Sequence, residues 1–366
     1  MKLVGYCGDV GGERLIQTYF EAVRGHGTVL VPSGAKGKVF EHIGQFESAD
    51  RVWLVPSAFV QKGHLYREEN ELANHLVERG IAVWWIEDVP VARDRIEDRR
   101  AIRGAEGIIL SIPQGYEEVQ KRGFKRSHYL GAPATWRSTY DTLMATPSAN
   151  GLLKQVGALV APVTETDIVI SFLGIKDHVL CNEVLRLAVE IGTKLTHSHA
   201  VVAFRAHPTE SSDPVAENER LDILQSCPGG YIFIKPQRNP ATGKFDQYVS
   251  FPQGQDVSSP ALMRVAKVVL STGMPTDSHA AVLARLPIAY YTNEHNEARN
   301  AGQGSRTWPF AEWGGLHKIH GSADFERGLA YLLSEHGRRE LRDIQRHEFP
   351  RPEWADPAKV VEIIAS

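Results

Sequence analysis

The sequence predicts an α/β protein of two Rossmann-like domains, each a mostly parallel sheet wrapped by helices, and three observations carry that expectation. Apolar runs of strand length recur along the chain, each followed by turn or amphipathic material, the pattern of parallel strands joined by crossover helices. The rhythm pauses at TPSANG, residues 146–151, and restarts at DIVISFLG, residues 167–174. A length of 366 residues suits two domains at about 150 residues each, with some chain left over.

In order, the first series is KLVGYC, TVLVP, RVWLVP, AVWWIE and GIILSI. These near-continuous apolar runs fit parallel strands buried on both faces. SHYLGAPATW at 127–136 reads as a last short strand entering a turn. After the restart, KDHVLCNEVLRLAVEIG reads as an amphipathic helix with Val179, Leu180, Val184, Leu185, Leu187 and Ala188 on one face. AVVAFRAHP, YIFIKP, KVVLSTG and PIAYYTNE supply further strands. From about residue 324 the pattern is helical, and the two prolines of FPRPEW at 349–354 break it before DPAKVVEIIA. The expected division is 1–155, 156–345 and a terminal helical segment 346–366.

Hydrophobic residues at 42% and charged residues at 23% exclude a broadly disordered chain. The 41 Lys and Arg nearly balance 44 Asp and Glu, a formal charge of −3, so no global field holds a polyanion or an acidic membrane. Cys7, Cys181 and Cys227 are odd in number and form no CxxC spacing, which fits a reducing, cytoplasmic setting. MKLVGYCGD lacks a signal-peptide core, and runs such as IAVWWI and ALVAPV fall far short of the roughly 18 apolar residues of a membrane span.

Ligands of open α/β sheets bind beyond the carboxyl ends of the strands, so the loops there carry the candidate chemistry. GDVGGER, with Gly8, Gly11 and Gly12, offers a close backbone approach and a helix start, and Asp9 is either a general base or a helix cap. IEDVP places Glu87 and Asp88 on alternating sides, one inward and one toward the crevice, where a base can take a hydroxyl proton; the plainer alternative is a solvated turn. In FLGIKDH, Gly174 permits close approach and Lys176 adds a cation to a helix start. FRAHPTE puts Arg205 and His207 at a strand end, suited to phosphates. In STGMPTDSHAAVLARL, Ser271, Thr272 and Gly273 lead through a turn to Thr276, Asp277, Ser278 and His279, a polar helix start for phosphates or ribose hydroxyls.

Weaker constellations carry less. THSH at 196–199 has no nearby carboxylate to complete a metal set. Ser57 lacks a GxSxG elbow. RDRIEDRRAIRG at 93–104 reads as a solvated helix face. Trp308 and Trp313 suit either sugar stacking or packing.

The Gly-rich loop after the first strand, the mid-chain linker and the series FLGIKD, FRAHPTE and STGMPTDSHAAVLARLPIAYY together resemble the GT-B superfamily of nucleotide-sugar glycosyltransferases. HYLGAP at 128–133 is similar to the Gly-x-Pro turn that closes the N-terminal domain of lipid A disaccharide synthase-like members. The resemblance implies two Rossmann-like domains facing across a cleft, an acceptor domain first, a donor domain second, and a terminal helix crossing back to the first. Gly174 and Lys176 match the glycine and basic residue of the first donor-domain loop, and Thr276 to His279 match the helix start that holds phosphate and ribose. Many members place a glutamate where this chain has Ser278 and His279, which removes the standard ribose grip and the paired glutamates of retaining enzymes; Glu294 or Glu297 can supply an acid instead. More distantly, the phage DNA β-glucosyltransferases resemble this chain in the acid that ends a comparable strand, here Asp88.

The implied activity is a hexosyltransferase-class glycosyl transfer, inverting and metal-independent, with a UDP-sugar as co-substrate and no tightly bound cofactor. Asp88 or Asp9 takes the acceptor proton, while Lys176, Arg205 and the helix end near Thr276 stabilise the departing diphosphate. The acceptor is left open among a glycan, a lipid, a small molecule and modified DNA. Alternatives are a non-hydrolysing nucleotide-sugar 2-epimerase, whose HRREN-type motif FRAHPTE lacks, a phage-type glucosyltransferase of hydroxymethylated DNA bases, and a non-catalytic nucleotide- or sugar-binding protein.

Overall fold

The computed structural model describes residues 1–8, 10–23, 27–56, 67–88, 96, 98–129, 134–145, 168–175, 177–207, 214–237, 240, 247–251, 259–272, 276–301, 309–349 and 362–363. The chain divides into two compact units, Met1–Arg137 with Ala301–Ser305 and Arg351–Ser366, and Ser138–Asn300 with Arg306–Pro350.

The first unit holds six strands, β1 (Lys2–Tyr6), β2 (Gly27–Val31), β3 (Arg51–Leu54), β4 (Ala82–Ile86), β5 (Gly107–Leu110) and β6 (Ser127–Tyr129). They form one sheet in the order β2-β1-β3-β4-β5-β6, and every pairing is parallel. Alternate residues feed two cores. Val4, Tyr6, Val52, Leu54, Val83 and Trp85 pack with Leu72 and Leu76 of the helix Arg67–Glu78 on one face. Leu3, Trp53, Trp84 and Ile109 pack with Leu15, Ile16 and Tyr19 of the helix Val10–Ala22 on the other. Period-two alternation with both faces covered is why these strands read as unbroken apolar runs.

Gly11 and Gly12 lie inside the helix Val10–Ala22 rather than in a loop before it. A Cβ on Gly12 would stand 2.2 Å from the Cys7 sulfur and 2.8 Å from Val55, so this glycine lets helix and sheet approach. In the described part of the charged run 93–104, the helix Arg99–Gly104, capped by Asp98, exposes Arg99, Arg100 and Arg103 and buries Ala101 and Ile102 on its other side. At the other end of the chain, Ile363 packs against the core of Leu3, Trp53 and Trp84.

The second unit holds β7 (Ile168–Leu173), β8 (Ala200–Arg205), β9 (Tyr231–Gln237), β10 (Gln247–Phe251), β11 (Val268–Thr272), β12 (Ile288–Thr292) and β13 (His317–His320). Their order is β10-β9-β8-β7-β11-β12-β13, parallel throughout except for β10 against β9. Strand order reverses between β7 and β11, which makes their carboxyl ends the topological switch point. The edge strands β10 and β13 were not anticipated from the sequence. β13 has four residues of which only Ile319 is buried, too few for a legible pattern.

The helix His178–Leu195 buries Leu180, Cys181, Val184, Leu185, Ala188 and Val189. Val179 is the exception to the expected apolar face, being 80% exposed. At helical spacing it shares a stripe with Glu183 and Arg186, not with Val184. The stretch expected to be helical from about residue 324 holds two helices, Ser322–Leu333 and Glu335–Glu348. Ser334 separates them, its hydroxyl accepting the Gly337 N–H at 3.0 Å. The helix Glu335–Glu348 stops where the break is expected, with Phe349 as its C-cap directly before the first proline of FPRPEW; residues 350–354 lie outside the described ones. No helix among the described residues is long and apolar enough to cross a membrane.

Candidate functional site

In the second unit, the ends of β7, β8 and β11 bring three of the expected loops side by side, since Leu173 is in register with both Arg205 and Ser271. Gly174 follows β7 directly, and its N–H donates to the Arg205 carbonyl at 2.8 Å. A Cβ on it would lie 2.7 Å from that same oxygen and 2.9 Å from the Phe204 ring. No larger residue fits between these strand ends without moving them.

The Arg205 guanidinium lies 3.4 Å from the Asp277 carboxylate, with only 15% and 18% of the two side chains exposed. Asp277 stands in the first turn of the helix Thr276–Leu283, whose N-terminal end and dipole favour negative charge. Ser271 donates to the Ala289 carbonyl at 3.1 Å. Thr272 is fully buried, and its hydroxyl oxygen has no hydrogen-bond partner. His207, just past Arg205, is half-buried. Lys176, Gly273 and the Thr276 side chain lie outside the described residues.

Ser278 and His279 turn inward. The His279 ring stacks on Phe310 at 4.8 Å, and Phe310 stacks on Phe349 at 4.9 Å. Burial holds the His279 imidazole well below its ordinary pKa, so it is neutral and packs as an aromatic ring. Asp177 caps the helix His178–Leu195 by accepting the Leu180 N–H at 3.0 Å.

One cation near this edge escaped the sequence reading. Arg220, on the helix Pro214–Gln225, is 1% exposed. Its guanidinium sits 5.3 Å from the Phe204 ring centroid, with Nη2 at 2.8 Å from Nδ1 of His178. An arginine only donates, so Nδ1 of His178 is the acceptor. The surrounding sequence, ENERLD, reads as a solvated charged face, which concealed it.

In the first unit, the Gly8 N–H donates to Glu69 at 3.2 Å. Glu69 is 3% exposed. Its neighbour Glu68 accepts from the Tyr6 hydroxyl at 3.0 Å and from the N–H groups of Gly37 and Val39 at 3.1 and 3.0 Å. Burial and these two carboxylates push the Tyr6 phenol far above its usual pKa. Sequence reasoning missed the pair, whose only signal is REEN at a helix start.

Glu87, after β4, accepts from both the N–H and the hydroxyl of Ser111, at 2.8 and 2.6 Å, and is buried. This ties the end of β4 to that of β5. Asp88 is half-buried at the following bend. Asp9 and Ser57 lie outside the described residues. Of the acids proposed to replace the missing glutamate, Glu294 is exposed and Glu297 pairs with Lys318 and His320. In THSH, His197 and Ser198 have φ of 51° and 70°, the left-handed turn that ends a helix. Trp308 is outside the described residues and Trp313 is half-buried. Among the described residues, no three His, Cys, Asp or Glu side chains are placed to hold a metal ion.

No protein-family model matches the chain, and no curated protein matches it by sequence. Solved structures do. A candidate UDP-N-acetylglucosamine 2-epimerase from Listeria monocytogenes aligns over 100% of this chain and 96% of its own, at 12% identity and a TM-score of 0.61. The UDP-GlcNAc 2-epimerase of Neisseria meningitidis, bound to UDP-GlcNAc, aligns over 100% and 99%, at 10% identity and a TM-score of 0.57. MnaA of S. aureus, in complex with UDP, aligns over 99% and 95%, at 8% identity and a TM-score of 0.60.

The fold is GT-B. Its two Rossmann-like sheets match those neighbours along nearly the whole chain. Identity near one residue in ten carries the GT-B likeness to the backbone and no further, so each side chain's role rests on its own surroundings.

Proposed function

We propose that this chain is a nucleotide-sugar enzyme that holds a UDP-sugar diphosphate at the carboxyl edge of its second sheet. The observation that carries the reading is the grouping of Gly174, Arg205 and the start of the helix Thr276–Leu283 at the β7/β11 switch point. A fixed cation, a glycine admitting close backbone approach and a helix N-terminus are the groups a diphosphate needs. The ligands of the structural neighbours, UDP-GlcNAc and UDP, support this choice of nucleotide. Lys176, His207, Ser271, Thr272, Gly273, Thr276, Ser278 and His279 belong to the same proposed donor region, with His279 acting through packing.

For the reaction we propose inverting transfer. The acceptor hydroxyl gives its proton to Asp88, with Asp9 as the alternative base. The new bond forms at the anomeric carbon as the bond to the diphosphate breaks, and the negative charge left on the diphosphate is stabilised by Arg205 and the helix N–H groups. Gly8, Gly11 and Glu87 shape the acceptor side, Glu87 by fixing the β4 end beside Asp88, while Gly12 acts through the close packing of helix on sheet. A second reading, epimerisation at C2 of the sugar, is favoured by the full-length likeness to UDP-GlcNAc 2-epimerases.

Incubation with UDP-GlcNAc alone, followed by proton NMR, separates the two. A second UDP-hexosamine epimer without added acceptor identifies the epimerase; UDP release that grows when acceptors are supplied identifies the transferase. Binding of UDP without either product leaves a binding protein. A saturating ligand at a hundred times its Kd stabilises by about 2.7 kcal/mol, so absence of any thermal shift with UDP would refute the nucleotide reading itself.

A further inference from the structure

Arg205 and Asp277 form an ion pair in the region to which the reading above assigns the diphosphate. Both side chains are mostly buried and 3.4 Å apart, and Asp277 occupies the first turn of the helix, the position where a bound anion gains most from the dipole. Fully buried Thr272 ends β11 with a hydroxyl oxygen that has no hydrogen-bond partner. The Gly174 N–H is already committed to the Arg205 carbonyl, which fixes the backbone from which the guanidinium extends.

We propose that Asp277 is a resident counter-anion that stands in for phosphate beside Arg205 and makes the site selective for diphosphates over single phosphates. The proposal rests on the diphosphate reading above. An entering phosphate must take Arg205 from a carboxylate that stays close by with its charge, and like charges in a poorly hydrated site repel strongly. A single phosphate replaces one anionic partner of Arg205 with another and gains little. A diphosphate offsets the exchange with its second phosphate, which reaches the helix N–H groups. Asp277 therefore lowers affinity for every anion, and lowers it most for the smallest.

The test is calorimetric titration of the full chain, wild type, Asp277→Asn and Asp277→Glu, with inorganic pyrophosphate, orthophosphate and UDP. Asp277→Asn is expected to bind pyrophosphate on the order of tenfold tighter than wild type, to gain still more for orthophosphate, and so to lose discrimination. Asp277→Glu, which keeps the charge, is expected to stay near wild type. Pyrophosphate binding that is unchanged or weaker in Asp277→Asn overturns the proposal. Weaker UDP binding with unchanged pyrophosphate binding would make Asp277 a ribose ligand, sinking the counter-anion and sparing the nucleotide reading. A gain for pyrophosphate with UDP binding no better than pyrophosphate would do the reverse. No binding of any anion to any form sinks both. If Asp277→Asn fails to fold, Asp277→Ser carries the same expectation, with thermal melting as the check on each variant.

Discussion

Replacing Gly174 with alanine puts one methyl group where the strand ends leave no room for it. The new carbon would stand 2.7 Å from the Arg205 carbonyl oxygen and 2.9 Å from the Phe204 ring, well inside contact distance. The oxygen is backbone and cannot swing away, and it also accepts the Gly174 N–H at 2.8 Å. Relief therefore means parting β7 from the end of β8. Overpacking of this kind costs about 1–3 kcal/mol, and a lost hydrogen bond adds about 1 kcal/mol. Alanine's smaller unfolded-state entropy returns about 0.4–1 kcal/mol. The net expectation is a loss of about 2 kcal/mol, or a Tm lower by about 4–8 °C for a unit of this size. Differential scanning calorimetry measures this directly. Because Arg205 moves with its carbonyl, UDP affinity by titration is expected to fall as well. A variant within about 0.5 kcal/mol of wild type, binding UDP normally, would refute the claim that Gly174 is needed for close approach.

Four further outcomes follow from the same structure. Asp88→Asn is expected to lower turnover about 100- to 10,000-fold with an unaltered melting curve, and full activity in a steady-state assay would remove Asp88 from the reaction. Glu87→Gln is expected to destabilise by about 1–3 kcal/mol through its two bonds from Ser111, which urea unfolding would register. Phe310→Ala, which removes the middle ring of the His279–Phe310–Phe349 stack, is expected to cost about 3–5 kcal/mol; a shift below about 1 kcal/mol in the same assay would contradict that role. His279 is held neutral in the fold and its pKa there lies well below 6.5. The unfolded chain thus binds a proton that the folded chain refuses, so stability falls as pH drops below about 6.5, by up to about 1.4 kcal/mol per pH unit. His279→Phe should flatten that slope in thermal melts from neutral to mildly acidic pH, and an unchanged slope would assign it elsewhere.

The sequence disclosed most of the fold because parallel strands covered on both faces must be apolar at nearly every position, as AVWWI and GIIL are. Edge strands lack that constraint, and HKIH accordingly carries no signal beyond Ile319. Val179 misled because an apolar residue in a helical window counts toward the buried face even when its stripe is that of Glu183 and Arg186. At the site, Gly174 and Arg205 were legible as residues that follow or end strands. Arg220, Glu68 and Glu69 were not, since a charged side chain on a helix reads as solvated until a neighbour such as Phe204 or Tyr6 is found against it. The Arg205–Asp277 pair spans residues 205 and 277, and local spacing cannot foretell a partnership made by sheet order.

The seat of Ile363 on the Leu3, Trp53 and Trp84 core also constrains how the molecule comes into being. During synthesis β1 leaves the ribosome before the other strands of both sheets, whereas the isoleucine that packs on its apolar face emerges after all of them. Until then that face stays partly open to water or to whatever protein can shield it, and N-terminal domains that fold first on the ribosome ordinarily have no such wait. Nascent chains halted before residue 363 should therefore remain more susceptible to protease within the first unit than chains that extend past it.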